Sequence, residues 1–140
     1  MDRDWWRLYF VVIVDGEPAG MQDLIGERFA ELGTVGSFSW LGPGYCARGI
    51  GTEMRAAILH LAFAGLAARE ATSDAFADNR ASNRVSEALG YEPNGTCWAT
   101  RRGEAAMLTR WKLTRDGWEK TRRTDIELVG VEDCLPVLGL

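Results

Sequence analysis

Gly42, Gly44, Gly49 and Gly51 all fall within the single stretch "LGPGYCARGIGT", residues 41–52. Glycine loses more conformational freedom on folding than any other residue, so a cluster marks a tight turn or a place where backbone must approach something else. What lies on either side narrows the choice. Upstream, residues 34–41, "TVGSFSWL", alternate small or polar positions with Val35, Phe38 and Trp40, which predicts a strand. Downstream, residues 52–66 carry Met54, Ile58, Leu61 and Ala62 at helical spacing. Leu59, Phe63 and Leu66 widen that stripe, which predicts a helix largely buried against a sheet. A strand that ends in glycines and feeds a helix points free backbone N–H groups, and the positive end of the helix dipole, at one place. That is an anion site, best suited to phosphate.

The remaining elements follow from local signals. Residues 8–14, "LYFVVIV", are rich in β-branched and aromatic side chains and are followed at once by Asp15-Gly16, so residues 17–25 should return as an antiparallel strand. Pro18 is tolerable near the start of that strand. Residues 26–33 read as a connection. Residues 71–76, "ATSDAF", form a short strand, and "DNRASNRVSEALGY" a second helix, capped by Asp78 or Asn79 and stopped at Gly90. Two last strands, residues 95–100 and 105–114, are joined through "RRGE" as a hairpin. The order β-β-β-α-β-α-β-β predicts an α/β chain with one open, mixed, mostly antiparallel sheet and two packed helices. Residues 1–120 form the core on this reading. Residues 121–140 begin polar and end apolar, and should dock on that core or on a partner subunit.

Composition removes several function classes. A chain of 140 residues with 46% apolar and 26% charged residues is that of one soluble globular domain. A net charge of −4 argues against a general nucleic-acid binder, and Arg101, Arg102, Arg122 and Arg123 read as a solvated hairpin and tail. Cys46, Cys97 and Cys134 form no CxxC pair and His60 is the single histidine, so neither a disulfide framework nor a metal site is expected. A reducing, cytoplasmic compartment is. The opening "MDRDWWRLYF" is not read as a secretory signal, and the apolar run at 56–68 falls short of the roughly 20 residues that span a bilayer.

Three readings of the glycine loop compete. Gly44 and Gly49 have Walker spacing, but Ile50 stands where that loop needs lysine. Residues 42–47 fit the loose dinucleotide pattern only with Pro43 inside the tight turn, and no acidic residue follows at the end of a second strand. The third reading rests on order: "SWLG", "CARGIGTEMR", an amphipathic helix, a short strand, then "DNRASNRVSEALGY". Together these resemble the GNAT superfamily of acetyl-CoA-dependent N-acetyltransferases, and within it the branch that acetylates ribosomal-protein N-termini, over residues 8–118.

The resemblance implies a fold, a reaction and a set of residues. Cys46, Ala47, Arg48, Gly49, Ile50, Gly51 and Thr52 match the segment whose backbone amides wrap the pyrophosphate of coenzyme A, with Arg48 and Arg55 expected to add charge. Ser39, Trp40 and Leu41 match the strand end that pairs with pantetheine, and Asn79 and Ser82 the polar positions beside the cofactor. Ser86 stands where many members place the tyrosine that protonates the departing thiolate. Asp23, or Glu31 in the following connection, is the candidate general base. The acceptor would be a primary amine of a small molecule or peptide, and a homodimer is expected. Two departures accompany this: Cys46 replaces the motif's Gln or Arg, and the strand and helices that normally precede the first hairpin are not seen. The second leaves three alternatives: a truncated chain, an acceptor wall supplied by a neighbouring subunit, or a non-catalytic acyl-CoA-binding or dimerisation module. The bland readings also stand, in which Asn79 only caps its helix and Ser86 is an ordinary small helical residue.

Overall fold

The structure is a computed structural model that describes residues 2–140. Strands β1 (Trp5–Val14) and β2 (Glu17–Glu27) form the first hairpin, and β6 (Glu92–Arg101) and β7 (Glu104–Thr114) the last. Both turns place two successive residues at positive φ: Asp15 and Gly16 at 51° and 82°, Arg102 and Gly103 at 54° and 80°. That conformation matches the twist of the flanking strands, which is why a DG dipeptide was informative. A short helix α1 (Phe29–Leu32) occupies part of what the sequence presented as a plain connection. It drives Phe29, 4% exposed, edge-on against Trp6 at a centroid distance of 5.5 Å.

The predicted third strand is two. Strand β3 (Thr34–Gly36) pairs in parallel with β5 (Glu70–Phe76), whereas β4 (Ser39–Leu41) pairs only with β2. The sheet order is β1-β2-β3-β5-β7-β6, with β4 lying beside β2 off that path. The break between them is held by β2: Asp23 N–H donates to the Phe38 carbonyl at 3.0 Å, and the Phe38 N–H donates to Asp23 Oδ1 at 2.8 Å. Helix α2 (Ile50–His60) continues through a wider π turn at Leu61–Gly65, and α3 (Arg80–Ala88) follows β5.

The core lies between the helices and one face of the sheet. Trp6, Leu24, Val35, Ala71, Trp111 and Leu113 from the strands meet Ile58, Leu59, Phe63 and Leu89 from the helical segments. Chain after β7 adds a third packed helix that the sequence reading did not resolve, α4 (Arg115–Thr121), whose Trp118 stacks on Phe63 at 5.1 Å. Arg115 Nη2 donates to the carbonyls of Phe63 and Ala68 at 2.7 and 3.0 Å, satisfying groups that the end of a helix leaves free. The remaining tail, with α5 (Val131–Cys134), returns over α2. Ile126, Val131 and Leu135 pack against the core there, and Leu138 is 2% exposed. Among the described residues no helix is long and apolar enough to cross a membrane.

Candidate functional site

The site begins where β4 and β5 part. β5 pairs with β3 through Glu70, Ala71 and Thr72, and beyond that its only strand partner is β7. β4 keeps only its β2 edge, through Gly20, Met21 and Gln22. Two backbone edges therefore face a gap that no strand among the described residues fills. The approach of β4 to β2 needs a glycine, since a Cβ at Gly20 would lie 2.2 Å from the Trp40 carbonyl oxygen. Ser39 and Trp40 are exposed and Leu41 half-buried, so all three positions expected to pair with pantetheine sit on this strand edge.

Beyond Leu41 the chain makes one 3₁₀ turn at Pro43–Tyr45 and enters α2 through Gly49, which is left-handed at φ 79°. Glu53 N–H donates to the Gly49 carbonyl at 3.2 Å, the first backbone bond of the helix. The amides of Ile50, Gly51 and Thr52 precede it and so lack an intrahelical partner. Ala47, also left-handed at φ 60°, turns the loop in front of them, and Cys46, Ala47 and Arg48 are exposed. Cys46 Sγ lies 3.6 Å from the Gly42 carbonyl oxygen, and Arg48 stands 5.7 Å from the Tyr45 ring centroid. Gly51 is where three elements meet: a Cβ there would lie 3.6 Å from Val85 of α3 and 3.8 Å from Leu41 of β4. β4, the glycine loop and the Val85 side of α3 thus meet at Gly51.

Asn79 caps α3, its Oδ1 accepting the Ser82 N–H at 3.2 Å, so the two polar positions expected beside a cofactor are joined to each other. Ser86 is fully buried, and its Oγ has no hydrogen-bond partner among the described residues. Asp23 is 4% exposed with both oxygens engaged: Oδ2 accepts from Arg7 Nε and Nη2 at 2.8 and 2.5 Å, and Oδ1 from Phe38 N–H. The carboxylate in turn holds the Arg7 guanidinium above its ordinary pKa, through the hydrogen bond first and then by charge. Neither candidate catalytic group is open to solvent. Glu31 lies apart from them, paired to Arg28 on α1.

Arg55 is a correction. It does not reach the glycine loop but is 5% exposed, donating from Nη1 to Ser73 Oγ at 3.2 Å, with its guanidinium 5.7 Å from the Tyr91 ring centroid. Burial raises the Tyr91 pKa, and Arg55 opposes that rise. Arg55 thereby ties α2 to β5 one residue past the point where β3 and β5 separate. Sequence reasoning missed this tie and the Arg7–Asp23 pair. The available signal for Arg55 was its place in the buried stripe between Met54 and Ile58. No group of His, Cys, Asp and Glu among the described residues is arranged to hold a metal.

Comparison with known proteins gives this surface a context. Residues 3–92 match the family model described as the acetyltransferase (GNAT) domain. A spermidine N-acetyltransferase variant from Vibrio cholerae superposes with a TM-score of 0.73 at 16% identity, over 80% of this chain and 68% of that one. An aminoglycoside acetyltransferase in complex with coenzyme A superposes with a TM-score of 0.65 at 24% identity, over 84% and 71%. A third structure, whose acetyltransferase assignment is itself provisional, gives a TM-score of 0.74 at 20% identity, over 80% and 64%. The chain thus spans less than two thirds of that last protein.

Proposed function

This chain belongs to the GNAT acetyltransferase family, and from that premise we propose that it moves an acetyl group from acetyl-CoA to a primary amine by direct attack. The observation that carries the reading is the gap between β4 and β5 opening towards the unpartnered amides at the start of α2. A strand edge offers alternating N–H and C=O groups to an extended pantetheine arm, and a helix N-terminus favours a pyrophosphate. The residues present fit that cofactor: the amides of Ala47, Arg48, Gly49, Ile50, Gly51 and Thr52 for the phosphates, the Ser39, Trp40 and Leu41 backbone for the arm, and Asn79 and Ser82 at its flank.

Acetyl-CoA supplies an activated acyl group and a thiolate leaving group. The amine nitrogen bonds to the acyl carbon as the C–S bond breaks, and the amine proton passes to solvent. The protein's contribution is proximity and hydrogen bonding to developing charge. Ser86 is assigned to the thiolate because its buried hydroxyl has a hydrogen bond to give. Asp23 is assigned to positioning, since it is 4% exposed and both its oxygens already accept hydrogen bonds, from Arg7 and from Phe38 N–H. Cys46 leaves the loop one side-chain donor short, while the backbone donors stay. A cytoplasmic setting belongs to the same proposal, supported by three free cysteines. So does a homodimer, supported by the exposed apolar edge strand β1.

Calorimetric titration with acetyl-CoA tests the cofactor, and CoA release with a panel of amines tests the transfer. Binding should be lost in Gly49→Asp, which places a carboxylate against the phosphate amides. Normal binding by that variant, or none by the wild type, sinks the loop assignment. A second reading is a non-catalytic acyl-CoA-binding module, favoured by the burial of both Asp23 and Ser86. It prevails if acetyl-CoA binds and no amine raises CoA release.

A further inference from the structure

The β4 strand has a second feature besides the gap. On the sheet face that carries the odd-numbered side chains of β1, a depression of about 150 Å3 is lined by Arg7, Tyr9, Met21, Asp23, Phe38 and Trp40 among others. Its three rings are unusually open for their size, with Tyr9 62%, Phe38 57% and Trp40 60% exposed. Adjacent apolar side chains left in water in this way mark a surface that something covers. The floor offers no spare charge. Asp23 gives one oxygen to Arg7 and the other to Phe38 N–H, and the Arg7 guanidinium lies 4.8 Å from the Tyr9 ring centroid. What remains is π surface beside the strand proposed to carry the thioester arm.

We propose that this depression seats the acceptor and selects an arylalkylamine, a primary amine on a short arm from one aromatic ring. The proposal rests on the acetyl-transfer reading and names the substrate class of that site. A polyamine or an aminoglycoside carries several positive charges and needs several free carboxylates. Here the single carboxylate is already neutralised by Arg7. An aromatic ring, by contrast, can stack offset or edge-on against Trp40 and Phe38, whose faces are open to it. The depression also borders Ser39, on the strand proposed to carry the thioester arm.

The test is a titration of the full chain with 2-phenylethylamine and, separately, with spermidine, followed by NMR at the Trp40 indole N–H and the Phe38 and Ser39 amides. Acetyl-CoA binding is measured in parallel by calorimetry. The expected result is saturable shifts of those signals by 2-phenylethylamine, with affinity about tenfold or more above that for spermidine. Phe38→Ser and Tyr9→Ser should each weaken the amine about fivefold, with the heat of acetyl-CoA binding retained. Spermidine binding equally well or better, shifts confined to other residues, or no shift at all overturns the proposal. Should either variant unfold, the wild-type shifts decide by themselves. Failure of acetyl-CoA to bind while the amine still seats sinks the transferase reading and leaves an aromatic-amine site.

Discussion

Ser86 and Gly49 make opposite demands on the protein. A buried hydroxyl without a partner costs about 1–3 kcal/mol relative to a satisfied one, and Ser86 Oγ is such a group. Ser86→Ala should therefore leave Tm unchanged or raise it by a few degrees, while turnover with acetyl-CoA falls about tenfold or more. Thermal melting and steady-state kinetics on one preparation read both signs, and a fall in both would make the residue structural. Gly49 differs because a Cβ there meets nothing within 4 Å, so only its φ of 79° is at stake. Gly49→Ala should cost about 1–2 kcal/mol in urea unfolding from the left-handed backbone alone. Gly51→Ala, with ordinary contacts at 3.6 and 3.8 Å and no positive φ, should cost less. The importance of Gly49 was legible because glycine is the residue that tolerates a left-handed turn. The isolation of Ser86 was not, because a hydroxyl's partners come from distant segments.

At the scale of elements, the hairpins were the most legible part, since two turn residues decide each one locally. Their register was less so. β1 and β2 slip by one residue between Val12 and Ile13, and a one-residue slip exchanges the two faces of a strand. With the slip, Tyr9 pairs with Asp23 and Arg7 with Ile25, which sets Arg7 and Asp23 on one face. The turn alone would not have done so. The split of residues 34–41 is also an element-scale fact, and Gly20 tests it. In Gly20→Ala the new Cβ would meet the Trp40 carbonyl at 2.2 Å, so β4 must move off β2. The expected outcome is about a tenfold or greater loss of acetyl-CoA affinity in calorimetry with far-UV circular dichroism little changed. Unaltered affinity would mean that β4 is not part of the cofactor surface. Asn79→Ala should cost about 1 kcal/mol through the lost cap. Loss of acetyl-CoA affinity beyond what that stability change accounts for would separate cofactor contact from capping.

At the scale of the whole molecule, one core is shared by the sheet, α2, α4 and the tail. Trp118 stacks on Phe63 and Leu138 is buried in the same cluster. The C-terminal segment is therefore part of the cooperative unit. Trp118→Ala should remove about 3–5 kcal/mol and Leu138→Ala about 2–4 kcal/mol. Denaturant unfolding should remain a single transition for both. A separate early transition confined to the tail would show that it folds independently.

What the chain decided by itself was local. Asp15-Gly16 and the "RRGE" turn made hairpins, the stripe from Met54 to Leu66 made a helix, and the glycines between strand and helix made a left-handed entry into α2 with its first amides unpaired. Each pattern depends on residues a few positions apart, whose conformational preferences are local. The tertiary structure decided what depends on distant partners. β3 keeps β5 while β4 leaves it. Arg55 turns inwards to Ser73, and Asp23 is held by Arg7 and Phe38. The tail covers α2. These outcomes are settled by packing and hydrogen-bond satisfaction across the whole domain, and no window of sequence contains both halves of any of them.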